Sequence, residues 1–237
     1  MAKPFEIERQ KTIMEILREK RNATVKMLVS QLYVSEATVR RDLNALEACG
    51  LIKRMHGGAV LLSNTDFETP ILIRERQNVE AKNVIAAKAA KFLQNGQVIF
   101  LDASSTTMAL IKYFSTFEML TIVTNGIKNA QRLSELNHNV YCTGGRMLHN
   151  SLAYVGNYTE EFVRRFNADL FFFSAAGVSE EGMINDASSE EIGVRRVMFE
   201  QSRKRIFMCD QSKIGKRFCY NLCPVNQVDA WITDADD

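Results

Sequence analysis

Two short amphipathic stretches, residues 24–32 (TVKMLVSQL) and 35–47 (SEATVRRDLNALE), are separated only by Tyr33 and Val34. That spacing constrains the chain more than any other feature, because two helices joined by so tight a turn must share one small core. In the first stretch Val25, Leu28, Val29 and Leu32 recur at helical spacing; in the second Val39, Leu43 and Leu46 do. Ser35 is a good N-cap, since its hydroxyl can accept from an unpaired N–H of the first turn, and Glu36 follows where the helix dipole favours a negative charge. A rotation of ~100° per residue sets Ala37, Arg41 and Asn44 opposite the apolar stripe, with Thr38 and Arg40 on its flanks. An ordinary surface helix and a helix built to enter a groove can both carry this pattern.

The neighbouring residues favour the groove. Residues 51–60 (LIKRMHGGAV) read as two short strands around a Gly57-Gly58 turn, and Gly50 suits the end of the preceding helix. A basic hairpin after a helix-turn-helix is a wing. The second helix then offers a methyl, an amide and guanidinium groups to base edges and phosphates in a major groove. The candidate DNA-binding residues are Ser35, Glu36, Ala37, Thr38, Arg40, Arg41 and Asn44 on the helix, with Lys53, Arg54 and His56 on the wing. Upstream, residues 5–20 form a helical pattern with Ile7, Ile13, Ile16 and Leu17 available to the core, and residues 21–23 end it. Residues 7–60 resemble the winged helix of DeoR-type bacterial transcription regulators. The run VSEATVRRDLNALE followed by GLIKRMHGGA carries that resemblance.

Charge follows the same division. Residues 1–62 hold eleven Lys and Arg against seven Asp and Glu, leaving nineteen against twenty-one in the remainder. A basic front end on a slightly acidic body suits a polyanion at one end only, and so modest an excess calls for a dimer or tetramer to add contacts. No window approaches the ~18–20 apolar residues of a membrane span. The start MAKPFEIERQ lacks the apolar core of a signal peptide. Five scattered cysteines, of which only Cys219 and Cys223 lie close together, form no zinc cluster and read as reduced thiols of a cytoplasmic protein.

Residues 63–66 (SNTD) are turn-prone, Pro70 interrupts any helix, and residues 71–76 form at most a short one. The expected division is therefore a DNA-binding domain over 1–62, a linker over 63–78 and a second domain over 79–237. From residue 80 the pattern alternates: helices over 80–93, 106–114, 127–136, 159–166 and 190–200, and strands over 97–101, 120–123, 139–142, 170–174, 205–209 and 230–233. Continuous apolar strands between helices predict an α/β fold with a mostly parallel sheet covered on both faces. Each strand ends in polar or glycine residues, and ligands bind at that edge of open α/β sheets.

Asp102, Ser104, Ser105, Thr106 and Thr107 form a strand-to-helix turn whose amides and hydroxyls can cradle a phosphate, or can cap the helix with no ligand at all. Thr124, Asn125, Gly144, Gly145 and Gly177 hold equivalent strand ends; Asp210 and Lys213 add a carboxylate and a cation; Glu191 opens a helix. Residues 80–234 resemble the DeoR-type effector domain, which is similar in fold to ribose-5-phosphate isomerase. The matching residues are DASSTT where the family has D-x-G-T-T, Thr124-Asn125, Gly144-Gly145-Arg146, Glu191 ahead of Val194-Arg195-Arg196, and residues 210–215. Ser104 replaces the usual Gly and Arg195 the common Lys. The family usually continues past I-T-D into another helix and strand; this sequence reaches Asp237, so a missing sheet edge or a fragment is expected.

The resemblance implies a repressor that binds operator DNA and is controlled by a phosphorylated sugar or polyol, with no cofactor and no catalysis. Two rivals stay open. Glu191 or Asp210 with Lys213 can flank a sugar carbonyl in an isomerase or transferase, and a winged helix can bind another protein in place of DNA.

Overall fold

The computed structural model describes residues 4–48, 52–61 and 69–235, in two compact units, Met1–Gln77 and Asn78–Asp237. The first comprises α1 (Pro4–Lys20), β1 (Asn22–Thr24), α2 (Val25–Leu32), α3 (Glu36–Ala48), β2 (Ile52–Met55), β3 (Gly58–Leu61) and the one-turn α4 (Ile71–Arg74). Its three-stranded antiparallel sheet has the order β1-β3-β2. Val39, Leu43 and Leu46 of α3 are fully buried with Ile13, Leu17, Leu28 and Ile52. Removing each such side chain from water stabilises the fold by roughly 1.5–3 kcal/mol. Ile73 of α4 joins the same core.

Two expectations change here. Residues 21–23 do more than end α1: Arg21 turns at φ 64° and Asn22–Thr24 pairs with β3. The hairpin turn is His56-Gly57, because the register pairs Met55 with Gly58. Gly57 takes the left-handed conformation at φ 82°. Gly58 lies inside β3, where a Cβ would collide with the Ala23 carbonyl oxygen. Its missing side chain is what lets β1 close on the wing. Gly50, Leu51, the first six residues of the expected linker (63–68) and the side chain of Ile7 fall outside the described residues.

The second unit comprises α5 (Val79–Ala90), β4 (Val98–Leu101), α6 (Ser105–Met108), α7 (Ile111–Phe114), β5 (Thr121–Thr124), α8 (Ile127–Leu133), β6 (Asn139–Cys142), β7 (Arg146–Leu148), β8 (Ala153–Val155), α9 (Asn157–Val163), β9 (Ala168–Phe173), β10 (Gly177–Val178), β11 (Met183–Asp186), α10 (Ser189–Glu200), β12 (Ser202–Met208), β13 (Tyr220–Pro224) and β14 (Ala230–Ile232). Six strands form one parallel sheet in the order β14-β12-β9-β4-β5-β6, with β14 paired to β12 at one edge. Phe171, Phe172 and Phe173 occupy both faces of β9 and are all buried, as a sheet covered on both sides requires. Phe171 and Phe173 stack at 4.7 Å, and Phe207 lies 5.2 Å from Phe173.

The helix expected over 106–114 is instead two single turns, because Ala109 and Leu110 donate to Thr106 and Thr107 three residues back, which tightens the chain. The β7–β8 hairpin and the small antiparallel sheet β10-β11-β13 were not legible, their strands being two to five residues long. Among the described residues no helix is long and apolar enough to cross a membrane.

Candidate nucleic-acid interface and ligand site

On α3 the cap forms as its residues dictate. Thr38 donates its N–H to Ser35 Oγ at 3.2 Å, and the two hydroxyls lie 2.9 Å apart. With the apolar stripe buried, Ala37, Arg40, Arg41 and Asn44 are exposed and Thr38 is half-buried. Glu36 accepts from Arg40 Nε at 3.0 Å, one turn apart, in a solvent-exposed pair of small energetic weight. Lys53 and His56 are exposed on the wing.

Arg54 departs from the outward reach expected of it. Its guanidinium donates to Asn44 Oδ1 and, at 3.3 Å, to the Arg40 carbonyl, while its backbone N–H donates to Glu47 Oε1 at 2.7 Å. Arg54 thus braces the wing against α3. Sequence reasoning also missed Asp42, which is fully buried and pairs through both oxygens with Arg9 of α1, Nη2 to Oδ1 being 3.1 Å. The signal was available: Asp42 borders the stripe of Val39, Leu43 and Leu46, where a buried carboxylate requires a partner.

The second unit brings its polar strand ends together where β4 and β9 lie side by side while their chains continue in opposite directions across the sheet. Crevices form at such switch points. Asp102 closes β4 and is almost wholly buried. Its Oδ1 accepts from the Ser104 N–H at 3.1 Å and the Thr107 hydroxyl at 2.9 Å, and its Oδ2 accepts from the Ser174 N–H at 3.1 Å. Ser104 caps α6 by accepting from Thr107 N–H at 3.2 Å. Ser104, Thr107 and Asp102 therefore build the turn, whereas Thr106 Oγ1 is buried with no partner among the described residues. Ser105 is buried beside it. Thr124 Oγ1 accepts from the Gly126 N–H, and Asn125 bonds both ways with the Tyr154 backbone, its Oδ1 having no hydrogen-bond partner among the described residues.

At the centre lies Arg195, which the sequence reading treated only as a substitute for lysine. Its side chain is 4% exposed and donates to three carboxylates: Nε to Asp102 Oδ2 at 3.0 Å, Nη1 to Asp186 Oδ2 at 2.8 Å and Nη2 to Glu191 Oε2 at 2.8 Å. Burial by itself lowers the pKa of this guanidinium; the charges of Asp186, Glu191 and Asp102 outweigh it and hold the group protonated more firmly than usual. The four-residue interval between Glu191 and Arg195 on α10 was the one sequence sign of this cluster.

Lys213 reaches back to donate to Ser174 Oγ at 2.9 Å and the Ala175 carbonyl at 2.8 Å. Asp210 is buried; its Oδ1 accepts from Ser212 Oγ and from Asn78 Nδ2 at 3.2 Å. The Gly144-Gly145 turn is held by the Thr159 hydroxyl, which donates to the Gly144 carbonyl at 2.7 Å. At Gly177 a Cβ would collide with the Lys216 carbonyl, so the lack of a side chain there serves packing.

Two family models cover this chain: a DeoR C terminal sensor domain matches residues 77–235, and a DeoR-like helix-turn-helix domain matches residues 9–65. The chain belongs to the DeoR family. Among curated relatives, the HTH-type transcriptional regulator GolR of Listeria innocua is 36% identical over 97% of this chain and 91% of its own length. The HTH-type transcriptional regulator GlpR of Haloferax volcanii is 34% identical over 96% and 89%, and the glycerol-3-phosphate regulon repressor of Escherichia coli 31% over 96% and 90%. Among solved structures, eIF2B delta from Chaetomium thermophilum superposes with a TM-score of 0.52 at 13% identity over 98% of this chain and 74% of its own, a likeness of fold alone. Ribose 5-phosphate isomerase A from Methanocaldococcus jannaschii gives 0.44 at 14% over 58% and 55%. In this DeoR-family transcriptional regulator, the Arg195 cluster lies within the sensor-domain match and the α3 ridge within the helix-turn-helix match.

Proposed function

We propose that this regulator is an operator-binding repressor whose hold on duplex DNA is set by a phosphorylated sugar or polyol bound at the strand ends of its second unit. It acts in the cytoplasm as a homo-oligomer, dimer or tetramer. The observation that carries the reading is the exposed face of α3: its apolar stripe is fully buried while Ala37, Arg40 and Arg41 remain in solvent. That is the polarity a recognition helix needs. Arg40, Arg41 and Lys53 contact phosphates; Ala37, Thr38 and Arg41 lie nearest the bases. Glycerol phosphate in the name of the Escherichia coli relative supports a small phosphorylated ligand.

Control of DNA affinity requires the ligand to bind the competent and incompetent arrangements unequally, with a coupling of about 1–3 kcal/mol typical of such switches. Asn78 is the route. It is the first residue of the second unit, held at φ 50°, and its amide donates to Asp210 Oδ1 at 3.2 Å and Ser212 Oγ at 3.1 Å. A ligand that draws on Asp210 changes the hold on the chain where the units join.

Duplex binding titrated against salt, with and without a panel of sugar phosphates, tests the reading. Affinity should fall steeply with salt and respond to one of the phosphates. Salt-independent or absent duplex binding would favour a protein-binding winged helix, and turnover of a pentose phosphate by the purified chain would make the second unit an enzyme.

A further inference from the structure

The floor and the mouth of the strand-end site differ in what they offer a ligand. The floor carries Asp102, Asp186, Glu191 and Asp210, with the cations Arg195 and Lys213 bonded among its groups. Arg195 gives Nε, Nη1 and Nη2 each to a carboxylate, and Lys213 is bonded to Ser174 and Ala175. Glu191 Oε1, Asp210 Oδ2 and Thr106 Oγ1 have no hydrogen-bond partner among the described residues, and each belongs to a side chain more than nine-tenths buried. Two of the three can only accept. A buried acceptor left unmatched is costly, so the floor calls for donors. Hydroxyl groups supply them. A phosphate or carboxylate brings further acceptors and further negative charge to the same place.

The mouth is the reverse. Arg146 follows the pinned Gly144-Gly145 turn, and its guanidinium, 60% exposed, pairs with Glu190, the exposed residue next to Glu191. An exposed partner is readily exchanged, because solvent already screens the pair. A phosphate offers the same guanidinium two negative charges and bidentate geometry.

Resting on the sugar-phosphate reading of this site, we infer that the ligand enters hydroxyl end first. Its uncharged hydroxyls donate to Glu191 and Asp210 on the floor, its phosphate stays at the mouth and takes Arg146 from Glu190, and ligands bearing a carboxylate at the hydroxyl end are rejected. Glu191 and Asp210 are thus specificity residues, and Arg146 is the phosphate contact.

The test uses the full chain and pairs of probes that differ at one terminus: glycerol 3-phosphate with 3-phosphoglycerate, erythritol 4-phosphate with 4-phosphoerythronate, and sorbitol 6-phosphate with 6-phosphogluconate. Thermal shift and calorimetry read the binding. At least one polyol phosphate should bind, with its acid partner weaker by about tenfold or more. Glu191→Gln and Asp210→Asn, each of which removes one negative charge, should narrow that ratio, and Arg146→Gln should weaken the polyol phosphate by about tenfold with the ratio preserved. Melting without ligand checks each fold, and Asp210→Asn serves if Glu191→Gln fails to fold. An acid that binds as well as its alcohol, or an Arg146→Gln chain that binds the phosphate undiminished, overturns the inference and leaves the sensor reading standing. If no pair binds, the inference falls, and the panel of sugar phosphates decides the sensor reading separately.

Discussion

Arg195 is where a single side chain bears the most. Three carboxylates converge on one buried guanidinium, so its loss leaves several buried charges without a counterion. Arg195→Ala should lower unfolding free energy by about 3–5 kcal/mol, read as the denaturant midpoint of the full chain. Arg195→Lys should recover only part of it, because one ammonium cannot direct three separated N–H bonds as the planar fork does. Cys209 reports at the same scale. Burial pushes its thiol from the ordinary 9.0 up to about 12. The native thiol then keeps its proton in a range where the unfolded one gives it up, so rising pH favours unfolding. Its contribution is present below pH 9.0 and is lost as pH climbs toward about 12. The fall in stability between about pH 8.5 and 10.5 should accordingly be shallower in Cys209→Ala than in the parent chain. Asp42 beside the apolar stripe asked for a partner, but Arg9 was not identifiable as that partner, because residues 33 apart share no local pattern.

Elements follow from local rules where the rules are strong. Ser35 caps α3 through the Thr38 N–H, so Ser35→Ala should destabilise the first unit by ~1 kcal/mol and loosen the exchange protection of the first turn of α3. The two wing glycines make a paired contrast. Gly57 has open space around its Cβ position and only a positive φ to satisfy, so Gly57→Ala should cost about 1 kcal/mol. Gly58→Ala drives a methyl into the Ala23 carbonyl and should cost about 1–3 kcal/mol, with loss of protection in β1 and β3. Equal effects would mean that β1 does not close on the wing. The inner strands β4, β5 and β9 were legible because burial on both faces leaves a continuous apolar run. The β7–β8 hairpin and β10, β11 and β13 were not, because strands this short carry too few alternations to stand out from loop.

At the scale of the whole chain the two units divide the labour, and their variants should separate. Arg41→Ala should weaken operator binding and reduce the slope of its salt dependence by about one, while sugar-phosphate binding persists. Thr106→Ala and Lys213→Ala should abolish the response to effector while duplex binding persists. Joint loss of both properties in Arg41→Ala would show that the division is wrong.

The order of residues was enough to determine the helix-turn-helix, the wing, the alternation that makes the sheet, and the set of strand ends facing one way. Each depends on neighbours a few positions apart, through capping, periodicity and turn geometry. The tertiary structure alone decided which of those polar groups meet. It drew Asp102, Asp186 and Glu191 around Arg195, turned Arg54 inward to Asn44, and paired Asp42 with Arg9. A charge removed from water must find its opposite wherever packing brings one, and that distance is measured in space and not along the chain.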